Sequence, residues 1–92
     1  MKKRVLHLPV KAVYFYQVKD GSKPDEYRLQ TDYWRTRLVG RTYDEVHIKL
    51  GYPKKDDHDK IVIRPWKGYE EKSILHEHFG NKHVDVFAIK VN

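Results

Sequence analysis

Within the stretch GSKPDEYR, a lysine, a glutamate and an arginine stand close together at Lys23, Glu26 and Arg28. On an extended backbone, Glu26 and Arg28 share one face about 7 Å apart. A carboxylate beside a guanidinium stays ionised, and each group fixes the geometry of the other. A lysine next to that pair can hold a phosphate or polarise a carbonyl. In a desolvated pocket, a lysine can also serve as base or nucleophile. Spacing alone favours a solvated strand face whose ion pairs carry little energy.

Aromatic residues interleaved with basic ones form a second group. The segment RPWKGYE offers Arg64, Trp66, Lys67 and Tyr69. Trp66, held by Pro65, can wall a base pocket with Arg64 on a phosphate; Trp66 and Tyr69 can equally seal one end of the core. Tyr52 and Lys54 in GYPKK fit either the rim of a cleft or a hydrophilic hairpin. Tyr33-Trp34-Arg35 repeats the aromatic-basic pattern. Among the histidines, His76 and His78 share a face on extended backbone, and His83 follows across a turn. No third ligand stands in a fixed arrangement, so no metal or other cofactor is expected. His78 or His76 is expected to line the cleft as a hydrogen-bonding group or general acid/base. His58 sits among acids in KKDDHDK, but the flanking lysines favour a solvated charged loop. Motifs for P-loop nucleotide hydrolysis, dinucleotide binding and hydrolase-elbow chemistry are absent.

These residues belong to a chain of 92 residues, 39% hydrophobic and 35% charged, which predicts a single domain over 1–92. No apolar run is long enough to span a membrane. The basic MKKR start leads into a segment carrying lysines and histidine, a poor match to a signal peptide. Cysteine is absent, which removes disulfides, thiolate zinc sites and a cysteine nucleophile, and makes a cytoplasmic setting the simplest expectation. The formal net charge of +6 favours a polyanionic partner such as RNA, DNA, a nucleotide or an anionic membrane surface. That charge is spread along the chain, so any basic patch must be assembled by the fold.

The elements that must do so read as follows. A short strand over residues 5–8 precedes a helix over 9–19, with Pro9 at its first position. Val10, Val13, Tyr14 and Val18 form the helix stripe, and Gly21 stops it. Residues 26–30 alternate as a strand, with Glu26, Arg28 and Gln30 on one face. Thr31 caps a short helix reaching residue 38, with Trp34 and Leu38 stacked along it, before Gly40. Strands are predicted over 45–50, 60–64, 69–75 and 84–91. The last carries apolar residues on both faces and should be central or close a barrel. The residues around Gly80-Asn81 in HEHFGNKH read as a turn. The sum is an α+β domain on a curved, mostly antiparallel sheet.

The pattern Gly21-x-Lys23-x-x-Glu26-x-Arg28, placed after a strand and an amphipathic helix, resembles the G-x-K-x-x-E-x-R signature of the ASCH domain in the PUA-like superfamily. Chain length, element order and the closing VDVFAIKV also suit that family. The segments GYPKKDD, RPWKGYE and HEHFG are similar to its compact bacterial and phage branch. The resemblance implies a small PUA-like curved antiparallel β-sheet or barrel of about five to six strands, with two helices packed on it. It also implies a charged cleft beside the signature and an RNA- or nucleotide-binding role. One branch hydrolyses N4-acetylcytidine with its signature lysine, a threonine and a distant glutamate; another is described as cleaving single-stranded RNA. By that resemblance Lys23 is the catalytic residue if the chain is an enzyme. Glu26 stands where the amidohydrolase branch carries threonine, and Glu70 is a candidate for the distant glutamate by chemistry only. Binding of RNA or a nucleotide-like ligand is the leading expectation. The alternatives are hydrolysis of a modified nucleoside or RNA, and a protein-interaction domain marked by an exposed apolar patch.

Overall fold

The computed structural model describes residues 2–75, 77 and 80–92. The chain runs β1 (Val5–Val10), α1 (Ala12–Lys19), β2 (Asp25–Leu29), α2 (Asp32–Leu38), β3 (Glu45–Leu50), β4 (Ile61–Pro65), β5 (Tyr69–Leu75) and β6 (His83–Lys90). A 3-10 turn over His58–Lys60 leads into β4. Among the described residues, these six strands form two three-stranded sheets, ordered β1-β3-β4 and β2-β6-β5.

The fold is α+β, with two helices beside the sheets. Among the described residues the strand ladders do not close into a barrel, and one pairing is parallel: Leu6 faces Val46 and Leu8 faces Ile48 between β1 and β3. The parallel return is possible because α1, β2 and α2 all lie between those strands, a connection long enough to cross over. The remaining pairings are antiparallel. One core joins both sheets: Leu6, Leu8, Val46, Ile48 and Val62 from one, and Phe87 and Ile89 from the other, with Phe15, Val18 and Leu38 from the helices. Burial of this apolar surface is the main stabilising contribution.

The strand and helix at the start divide differently from the sequence reading. β1 continues through Pro9 to Val10, and the helix begins at Ala12. Proline is tolerated there because β1 is an edge strand, where a missing N–H breaks no ladder. The shift changes the buried helix face: Phe15 and Val18 enter the core, while Val13 is 57% exposed. α2 forms where its cap predicts, with Thr31 Oγ1 accepting from Trp34 N at 3.4 Å and Leu38 buried. β6 is the central strand of its sheet and buries Val86, Phe87, Ala88 and Ile89, as expected of a strand apolar on both faces. In the expected turn of HEHFGNKH, His76, His78 and Phe79 lie outside the described residues. Among the described residues, no helix is long and apolar enough to cross a membrane.

Candidate functional site

The ends of β1 and β3, the start of α1, and β2 with the start of α2 enclose a cleft of about 850 Å³. Lys23, Glu26 and Arg28 all line it. Aromatic side chains surround them: Tyr14 from α1, Tyr27 from β2, Tyr33 and Trp34 from α2, and Tyr52 from the loop after β3.

β2 sets the two charged residues on a rigid base. Glu26 is opposite Ile89 and Arg28 opposite Phe87 on the central strand β6. Glu26 is 6% exposed and is the only buried charged side chain among the described residues. Arg28 Nη2 donates to the Pro9 carbonyl at 2.6 Å, and its guanidinium stands 5.0 Å from the centroid of the Trp34 ring. Pro9 therefore contributes through its carbonyl at the strand end. Burial pushes the Arg28 pKa below its ordinary value, while the neighbouring Glu26, Tyr52 and Tyr33 act in the opposite direction. The group stays charged, because an arginine does not lose its proton in proteins. Its Nε is buried and meets no hydrogen-bond acceptor among the described residues. The Lys23 ammonium lies 4.9 Å from the Tyr14 ring centroid and 5.1 Å from that of Tyr27, a cation held between two rings.

The turn that presents Lys23 is fastened from behind. Gly21 has φ +85, a left-handed conformation that glycine adopts without penalty as the chain leaves α1. Lys23 N donates to the Gln17 carbonyl at 3.1 Å. Asn92 Nδ2 donates to the carbonyls of Lys23 at 2.7 Å and Val18 at 3.1 Å. Arg64 Nε donates to Asn92 Oδ1 at 3.1 Å, and Arg64 Nη2 to the Val18 carbonyl at 3.3 Å. Replacing Asn92 with Ala removes the bonds its amide makes to the Lys23 and Val18 carbonyls and to Arg64 Nε, and is expected to cost roughly 1–2 kcal/mol. Amide exchange at Lys23 should quicken in that variant. Unchanged exchange there would show that the turn holds its shape without the clamp.

The other residues singled out in the sequence lie elsewhere. Arg64 belongs to this clamp and does not line the cleft. Trp66 packs edge-on against Tyr43 with centroids 5.1 Å apart, and Tyr69 against Phe87 at 5.4 Å. Both rings lie against the core rather than the cleft. For Trp66 the cause is register: Pro65 pairs with Glu45 at the start of β3, whereas the cleft lies beyond Leu50 at its other end; Tyr69 stands on β5, which β6 separates from β2. Lys54 sits in the loop after β3, its backbone N donating to Asp57 Oδ2 at 3.2 Å, and it does not line the cleft. Tyr52 does line it. Glu70 is exposed, paired with Lys90 at 3.1 Å and Lys72 at 3.7 Å, and is not part of the cleft wall. His78 lies outside the described residues.

Sequence reasoning missed Tyr14 and Tyr27 as neighbours of Lys23, and Lys11 at the cleft rim. Tyr14 falls on the apolar stripe of a helix, which reads as core. A second, smaller depression of about 390 Å³ is lined by His7 and His47 with Lys49, Lys55 and His58. Burial, together with the charges of Lys49 and His47, holds the His7 pKa below its ordinary value. The His47 ring stands 3.2 Å from Glu45 Oε1.

What the cleft can do follows from its chemistry. It combines fixed cations, one buried carboxylate and aromatic walls, which suits a flat polar ring carrying an anionic group. Comparison of the chain with protein-family models, curated proteins and solved structures finds no match.

Proposed function

We propose that this chain is a small ASCH-like domain whose cleft binds single-stranded RNA or a nucleotide. The observation that carries the reading is the convergence of Lys23, Glu26 and Arg28 on one concave, aromatic-walled cleft. A solvated strand face would have splayed the three side chains into water. Instead, Glu26 is buried, Arg28 is bound to the Pro9 carbonyl and Lys23 lies between two rings. In this reading Lys23 contacts a phosphate or a base carbonyl, while Glu26 and Arg28 brace the site. The excess positive charge adds a sequence-independent attraction for the strand.

The test is titration of a single-stranded RNA with the protein at two salt concentrations. Affinity should fall steeply with salt, as phosphate neutralisation releases counterions. Lys23→Ala should weaken binding and reduce the slope of log affinity against log salt by about 1. Absence of binding at low salt overturns the proposal. A slope that ignores Lys23 would move the contact to another part of the surface.

A further inference from the structure

We propose that the smaller depression, on the outer face of the β1-β3-β4 sheet, is a second anion site that takes a phosphate group, carried by a free phosphate compound or by a nucleic-acid strand. Strand alternation builds it. Leu6, Leu8, Val46, Ile48 and Val62 face the core, and His7, His47, Lys49, Ile61 and Ile63 alternate with them on the opposite face. Register then gathers them: His7 stands opposite His47, His47 opposite Ile63, and Lys49 opposite Ile61. Lys55 and His58, from the segment after β3, complete the lining of this space of about 390 Å³. It shares no lining residue with the cleft, so the inference is independent of the nucleotide-binding reading above.

Every lining side chain that can ionise is basic, and the other two are isoleucines. Among the described residues, neither Lys49 nor Lys55 is paired with a carboxylate. Elsewhere on the surface acids interleave with bases: Glu70 pairs with Lys72 at 3.7 Å and with Lys90 at 3.1 Å. Glu45 lies on the same sheet face but does not line the depression, and its carboxylate is engaged by His47 at 3.2 Å and Lys3 at 3.1 Å. Like charges gathered without a counter-charge repel one another, and an anion seated among them relieves that repulsion. The same repulsion is visible at His7, whose pKa is held down by burial first and then by the charges of Lys49 and His47. The two ammonium groups disfavour a metal cation, and no group of three or more metal-ligating side chains converges among the described residues. Lysine and protonated histidine only donate hydrogen bonds, which suits the acceptor oxygens of a phosphate. Ile63, 52% exposed, and Ile61 offer an apolar bed for the sugar or ring that a phosphate carries.

The experiment follows the histidine ring resonances of the whole protein by NMR while sulfate, pyrophosphate or a uridine hexamer is added. Resonances of His7, His47 and His58 should move to saturation, while that of His83, at the start of β6, stays in place. Movement with pyrophosphate assigns a free phosphate compound; movement with the hexamer alone assigns a strand. Sulfate keeps its charge between about pH 5 and 8, so it isolates the titration of the protein. A bound anion favours the imidazolium form, so the His7 pKa should rise on binding, and sulfate should bind more tightly as the pH falls through the histidine range. Lys49→Gln should weaken pyrophosphate binding by about fivefold to tenfold. Should that variant fail to fold, the ring shifts and the pH dependence of the unaltered protein still decide the matter. In Lys23→Ala, which removes a cation from the cleft, the shifts of His7 and His47 should persist. Static His7 and His47 resonances with all three probes, movement with sulfate alone, equal movement of His83, or loss of the shifts in Lys23→Ala each overturn the proposal. None of these results bears on the salt titration that tests the cleft, so either site can fail alone.

Discussion

Arg28→Ala should destabilise the fold by roughly 3 kcal/mol and remove ligand binding. The estimate combines a charge-assisted hydrogen bond to the Pro9 carbonyl, worth ~1.5–3 kcal/mol, with a cation over the Trp34 ring, worth ~0.5–2 kcal/mol. A further loss arises because Glu26 stays buried without the guanidinium beside it. Denaturant unfolding measures the change as a lower midpoint at unchanged slope. A loss below about 1 kcal/mol would show that the side chain is held but does not brace. Arg28→Lys separates charge from shape: an ammonium keeps the attraction to Glu26 but lacks the planar fork that both binds Pro9 and stacks on Trp34. It should fall between the two. In a double-mutant cycle with Glu26→Gln, the two losses should not add, since the attraction between the side chains can be lost only once.

The same residue shows how far the sequence could be read. Arg28 and Glu26 were legible as a pair because strand alternation is local: two positions apart means one face. α2 was legible for the same kind of reason, its Thr31 cap and Leu38 anchor lying within one short segment. β6 announced its central place by being apolar on both faces. The start of α1 was less legible, since proline suits both the first turn of a helix and an edge strand. Only the pairing of β1 with β3 decides between them, and that pairing crosses a long stretch of chain.

The cleft's walls were hidden by the same non-locality. Tyr14, Trp34 and Tyr52 come from α1, α2 and the loop after β3, and no spacing rule links them to Lys23 or Arg28. RPWKGYE has the composition of a binding segment, yet the antiparallel register of β4 against β3 carries Arg64 and Trp66 away from the cleft, and β6 separates Tyr69 on β5 from β2. Arg64 shows that a residue of the expected type can serve a site from behind. It holds Asn92, and Asn92 holds the carbonyl of Lys23. Charge and aromatic content were readable; the side of the sheet on which they meet was not.

Tyr52→Ala should weaken ligand binding by about 5- to 150-fold while leaving stability within about 0.5 kcal/mol. Tyr52 is 93% exposed, so the fold gains almost nothing from its ring. Its place is nevertheless specific: it lines the cleft, directly after Gly51, whose φ of +65 turns the chain out of β3. The other rings are already engaged. Tyr14 and Tyr27 hold Lys23, Trp34 carries Arg28, and the Arg37 guanidinium stands 3.4 Å from the Tyr33 ring centroid. Tyr52 is thus the wall with an open face for a base. Because it carries no charge, its removal should lower affinity equally at low and high salt, whereas Lys23→Ala should change the salt slope. Tyr52→Phe keeps the ring and should bind nearly as well as the unaltered protein. Full affinity in Tyr52→Ala would mean that the bound ligand does not stack at the mouth, and the charged floor alone would then have to account for binding.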